Sequence, residues 1–305
     1  ERGVFGASTN TLPTGFTNPL TDGRSGGKAS LGFIADSGRD GFASPDGYDG
    51  DYFLPGTAEE TFSVEVDGVA RGNSAHSTLF EIPGAVVGSA VTAGTATVTW
   101  QGNVSGLSVQ KSARLYSDGL LIQHEITLTN ETASPLSQIY FMNNVDPDND
   151  HSVNNSFATL NTVRAQGDVS LNNLSHVSAE HDSSGAGSWA GVEAEGASLA
   201  YVSYDARARV TRGGFTNRSP SGVYNATSGL IATVGSSASG DTAISIAFNV
   251  GVLAPGEATT LVYYYHFGHP DDLSEVELAE NNLLGGDTDG DGVSNHFDLD
   301  SDNDS

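Results

Sequence analysis

The 305 residues contain no cysteine, which excludes disulfides, thiolate metal sites and cysteine nucleophiles. Basic residues are nearly as scarce: 12 Lys and Arg stand against 38 Asp and Glu, for a net charge of −26, and Lys28 and Lys111 are the only lysines. Nucleic acid and anionic membrane surfaces both require positive charge and are excluded as partners. No apolar run approaches the roughly 20 residues that span a bilayer, so direct membrane insertion is excluded too. The N-terminus Glu1-Arg-Gly lacks the basic and apolar regions of a signal peptide. The expectation is a chain whose signal has been removed, or an excised fragment. A large disulfide-free acidic protein suits a saline, calcium-rich setting, and the expected location is extracellular or on a bacterial cell surface.

What the sequence has in abundance is aspartate, and its placement is ordered at the C-terminus. Asp287, Asp289, Asp291, the carbonyl of Val293 and Asp298 fall at positions 1, 3, 5, 7 and 12 of a calcium loop, with Gly292 at the sharp turn of position 6. Asp298, Asp300, Asp302 and Asp304 restart the alternation. A solvated acidic tail is the simpler alternative. The stretch resembles the aspartate-rich calcium repeats of the thrombospondin type 3 class in their cysteine-free form. That resemblance covers 287–305 and implies a Ca2+-stiffened spacer. Position 12 is Asp rather than a bidentate Glu, and no long apolar helices flank the loop, which argues against a calcium sensor.

Before residue 268 the pattern is one of strands. Phe62, Val64 and Val66 alternate with polar residues, as do Ile122, His124, Ile126 and Leu128, then Ile244, Ile246, Phe248 and Val250, then Leu261, Tyr263, Tyr265 and Phe267. Gly, Asn, Asp and Ser punctuate these runs. The fold class expected is all-β, a large antiparallel β-sandwich or supersandwich over 1–269, with 1–55 as a loop-rich wrap. One short helix is expected within a collar at 270–286. Asp272 and Glu275 would form its capping box, Leu273, Val276, Leu283 and Leu284 its apolar face, and Gly285-Gly286 its end.

Two further acidic clusters lie in the β-region. Asp146, Asp148 and Asp150 follow the apolar run Ile139-Tyr-Phe-Met142 and form either a second calcium site or a turn whose aspartates bond their own backbone. Asp46, Asp49 and Asp51, in a glycine-rich stretch, either hold calcium or simply turn twice, and the turn is the expectation. Trp100, Trp189 and Tyr263-Tyr264-Tyr265 suggest a sugar-stacking platform, but strand alternation buries half of such residues. Trp189, in a small-residue loop, is the aromatic to test for ligand contact, the alternative being a loop anchor packed on the sandwich.

The stretch from Gly119 to Phe141, and Leu253-Ala-Pro-Gly-Glu257 with the tyrosine-rich strand after it, resemble strands of galactose mutarotase-like supersandwich domains. That resemblance implies the fold. Where such an enzyme carries its catalytic histidine, this sequence has Phe141-Met-Asn143-Asn144, and no glutamate base stands near the end of the chain. His76, His124, His151, His176, His181, His266 and His269 are scattered, and no Gly-x-Ser-x-Gly elbow occurs. The expectation is therefore a non-enzymatic, calcium-binding structural or adhesive module, with calcium, surface glycans or further copies of itself in a filament as partners. The alternative is a carbohydrate-binding or carbohydrate-processing β-sandwich with the repeat as linker.

Overall fold

The computed structural model describes residues 3–4, 52, 59–74, 81–92, 94–116, 119–149, 156–182 and 198–284. The calcium repeat at 287–305, the Asp46 to Asp51 cluster, Asp150 and Trp189 lie outside the described residues.

Fourteen described strands form two antiparallel sheets. In chain order they are β1 (Glu60–Val66), β2 (Val69–Ser74), β3 (Gly84–Thr92), β4 (Thr95–Val104), β5 (Leu107–Tyr116), β6 (Leu121–Asn130) and β7 (Leu136–Val145). There follow β8 (Thr159–Asp168), β9 (Leu174–His181), β10 (Ser198–Ser203), β11 (Ala208–Arg212), β12 (Ser237–Gly240), β13 (Ile244–Leu253) and β14 (Ala258–His266). One sheet runs β11-β13-β7-β1-β2 and the other β12-β8-β9-β10-β14-β6-β5-β4-β3. The chain is thus an all-β sandwich, as the period-2 alternation predicts.

Alternation also decides which side chains meet between the sheets. Phe62, Phe141, Phe248 and Tyr263 stack there with ring centroids 6.2–6.3 Å apart, and Trp100 meets Phe62 edge-on at 5.2 Å. These rings are buried, which removes Trp100, Tyr263 and Tyr265 from any sugar-stacking platform. The β1–β2 turn is Asp67-Gly68 with both φ positive, the conformation a two-residue hairpin turn demands.

The interior also holds charge. Glu60 is fully buried, and its Oε1 accepts from Lys111 Nζ at 3.2 Å, Asn143 Nδ2 at 3.1 Å and the Tyr265 hydroxyl at 3.1 Å. Tyr201 donates to Asn143 Oδ1 at 3.2 Å, the Tyr265 hydroxyl lies 3.1 Å from the same oxygen, and Asn143 Nδ2 also reaches the Tyr263 hydroxyl at 3.0 Å. Burial lowers the Lys111 pKa and the Glu60 charge opposes that shift.

Two described α-helices cap outer faces. The five-residue α1 (Pro220–Tyr224) covers the small sheet, burying Val223 against Met142 and Ala247. The second, α2 (Ser274–Leu284), covers the large sheet by packing Val276 and Ala279 on Leu121, Ala200, Val202 and Tyr264. Its capping differs from the box expected. Asp272 Oδ1 does accept from Ser274 N at 3.1 Å, but Glu275 Oε2 turns away and accepts from Leu120 N at 2.8 Å. Glu275 therefore ties the first turn to the start of β6 instead of closing the cap.

Candidate functional site

On β14 the side chains alternate, so Tyr263 and Tyr265 point into the sandwich while Val262, Tyr264 and His266 point outward from the large sheet. The ladder then sets their neighbours. His266 pairs with Ala200 and Ala200 with Ser178, while Tyr264 pairs with Val202 and Val202 with His176. His176 and His266 are thereby placed diagonally across β10, flanking small and aliphatic side chains. On the next strand Arg164 sits in a bulge between Val163 and Ala165.

Arg164 organises the rim of this face. Its Nε donates to Ser178 Oγ and one terminal nitrogen to Glu180 Oε1, both at 2.7 Å, and the other forms an ion pair with Asp271. Ser178 Oγ also donates to Glu180 Oε1 at 2.7 Å. The planar fork of the guanidinium is what satisfies three partners at once.

Both imidazoles are uncharged at neutral pH. Burial, with the Arg164 charge and His266 adding to it, takes His176 from an ordinary 6.5 down to about 3. Burial takes His266 to about 4 against the opposing pull of Asp272. Nε2 of His176 and Nδ1 of His266 are buried and have no hydrogen-bond partner. Native structures rarely leave such atoms unmatched, so each requires a reason.

Leu121, the register partner of His266, also lines a cleft of ≈ 330 Å³ between β6 and α2, with Tyr116, Gly119, Glu275, Leu278, Ala279 and Asn282. Its neighbourhood is rich in hydroxyl and carboxyl groups. Tyr116 donates to Gln123 Oε1 at 2.7 Å, Tyr264 donates to Glu280, and Tyr204 reaches Glu277 at 3.5 Å. Burial and these carboxylates raise the Tyr264 and Tyr204 pKa values, so both phenols remain protonated donors.

A second cluster lies at the other sheet. Asp146 and Asp148, which follow β7, meet Asp241 from the turn between β12 and β13, with carboxylate oxygens within 4.8 Å of one another. These three carboxylates can hold a metal ion. Of the three residues expected together in sequence, two are brought together, and Asp150 lies outside the described residues. Asp241 was not legible as their partner, because only the β7–β13 pairing carries it there. Burial, reinforced by Asp241 and Glu59, raises Asp146 to about 8. Glu59 itself accepts from Thr61 at 2.5 Å and pairs with Arg218 at 3.6 Å.

His176 and His266 are the residues the sequence did not single out as a pair. The only available signal was parity: His266 shares a strand face with Val262 and Tyr264, and the structure keeps it there.

No family model and no curated protein matches this sequence. Among solved structures, the chain is similar to the heparan sulfate lyase HepC from Pedobacter heparinus, at 9% identity and TM-score 0.38, covering 69% of this chain and 24% of that one. It is also similar to a galactose mutarotase related enzyme from Lactobacillus acidophilus, at 10% identity and TM-score 0.27, covering 69% and 79%. A third is the GH36 alpha-galactosidase AgaB from Geobacillus stearothermophilus, at 8% identity and TM-score 0.32, covering 74% and 31%. The chain thus spans a quarter to a third of the lyase and the galactosidase. All three neighbours are named as enzymes, against the expectation of a non-enzymatic chain, and that expectation is not carried further. No described helix is long and apolar enough to cross a membrane.

Proposed function

We propose that this chain is a carbohydrate-processing β-sandwich domain, working outside the cell or on its surface, with the outer face of the large sheet as its active face and calcium as its metal. The observation that carries the reading is the pair of buried neutral imidazoles, His176 and His266, each with an unmatched ring nitrogen, beside the Arg164–Ser178–Glu180–Asp271 network. Chemistry at a sugar carbon moves protons on and off oxygen, and an imidazole held neutral is a base ready to take one. Arg164 fixes the carboxylates that would orient hydroxyl groups, and the cleft under α2 supplies phenolic donors and carboxylate acceptors at its edge. Perturbed titratable groups next to a cleft are the usual marks of a reaction site. A net charge of −26 disfavours polyanionic glycans, so neutral oligosaccharides are the substrate class.

The test is to incubate the full chain with a panel of neutral oligosaccharides and polysaccharides and follow anomeric exchange by proton NMR and new reducing ends by colorimetry. Turnover that falls at least a hundredfold in His176→Asn and His266→Asn supports the reading. Activity that both variants retain, or no activity on any member of the panel, contradicts it.

A further inference from the structure

The acidic cluster carries an inference of its own, which stands whether or not the outer face of the large sheet acts on glycans. Asp146 is only 3% exposed, yet its Oδ2 accepts no hydrogen bond. Two more buried oxygens, on residues close to Asp146 in the chain or held by the neighbours of Asp241, are in the same condition. Asn144, two residues earlier on the same strand face, spends its amide nitrogen on Ile244 O at 3.3 Å and Ser245 Oγ at 2.9 Å, and its Oδ1 has no partner. Asn161 is held by Gly240 O at 3.4 Å and Thr242 Oγ1 at 3.2 Å, the residues on either side of Asp241, and its Oδ1 has no partner either. The unmatched atoms are all oxygens, and the amide nitrogens that could have served them are occupied elsewhere.

Among the described residues, no ion pair reaches the Asp146 carboxylate, and the Asn144 and Asn161 amide oxygens have no donor. Arg218, which pairs with Glu59, is also engaged with Ser74. Hard oxygen donors in this number suit calcium, whose ligands stand about 2.3–2.6 Å from the ion, so opposite ligands lie about 5 Å apart. The observed spread of 4.8 Å or less lets one ion bridge all three carboxylates with little movement. We propose that Asp146, Asp148 and Asp241 bind one calcium ion that staples the end of β7 to the β12–β13 turn, a site separate from the aspartate repeat at 287–304. The ion would join the two sheets at one end of the sandwich, because β12 belongs to the large sheet and β7 and β13 to the small one.

Calorimetric titration of calcium chloride into the chelator-stripped full chain tests this, with the repeat silenced by Asp287→Asn, Asp289→Asn and Asp291→Asn. One equivalent of calcium should remain bound, and the melting temperature should rise on its addition. Asp241→Asn, at an exposed position, should then weaken that binding at least tenfold, with Asp148→Asn as a second, isosteric check. No residual calcium binding in the silenced chain would overturn the proposal. So would binding that neither variant changes while circular dichroism shows both folded.

Discussion

The two buried carboxylates Glu60 and Asp146 sit in opposite circumstances. Around Glu60 donors converge: Lys111, Asn143 and Tyr265 all give to Oε1, and the surrounding tyrosines bond one another. Around Asp146 the neighbours are carboxylates and amide oxygens, and its Oδ2 receives nothing. A matched polar network in a low-dielectric interior specifies how two sheets lock together. An unmatched one is expensive unless a ligand completes it. The imidazoles of His176 and His266 belong to the second kind, each with a buried ring nitrogen that has no partner.

Removing one partner from the matched network should have the largest effect. Glu60→Leu strands the buried Lys111 ammonium and should cost about 3–5 kcal/mol in urea denaturation. Asp241→Asn in calcium-free buffer should leave stability within about 0.5 kcal/mol or raise it, since it relieves repulsion at an exposed position. A Glu60 variant as stable as the parent would show that the buried Lys111 needs no carboxylate partner.

Acid sensitivity sharpens the histidine side. His176 and His266 have folded pKa values below the ordinary 6.5, so the unfolded chain takes up these protons first. Their contribution is complete above 6.5 and is lost as the pH falls from there toward 3–4. His176→Asn should flatten the stability profile across that window by roughly 3–5 kcal/mol. An unchanged profile would place His176 in contact with water.

Arg164→Lys should come next, at about 1–2 kcal/mol, because an ammonium cannot hold Ser178, Glu180 and Asp271 in one plane. Crystallography of the variant should show Glu180 displaced. The smallest effect is expected on the edge strand β3, where Val91 is 86% exposed and Val91→Thr should change the melting temperature by no more than about 2 °C.

Much of the fold was legible in the sequence because period-2 patterns report burial directly. Phe62, Val64, Ile126, Leu128 and Phe248 face the core as their alternation requires. The helix was legible from its apolar spacing, though Glu275 chose the backbone of Leu120 over the cap because docking on the sheet offered a donor at 2.8 Å. The sites were far less legible. Asp146 and Asp148 stand out by local spacing, whereas Asp241 joins them only through the pairing of β7 with β13. His176 and His266 meet only because β10 inserts between β9 and β14, and no local pattern encodes that strand order. Conversely Trp100 and Tyr263, conspicuous as residue types, are core.

Under the proposed function, the unmatched imidazoles of His176 and His266 await a sugar. Imidazole nitrogen NMR of the full chain at neutral pH, during titration with the neutral oligosaccharide panel, tests it most directly. His176 and His266 should give neutral-imidazole signals in the free protein, and both should shift on glycan addition while the His124 signal stays in place. Signals that stay fixed through the whole titration, or imidazoles already charged in the free protein, would contradict it.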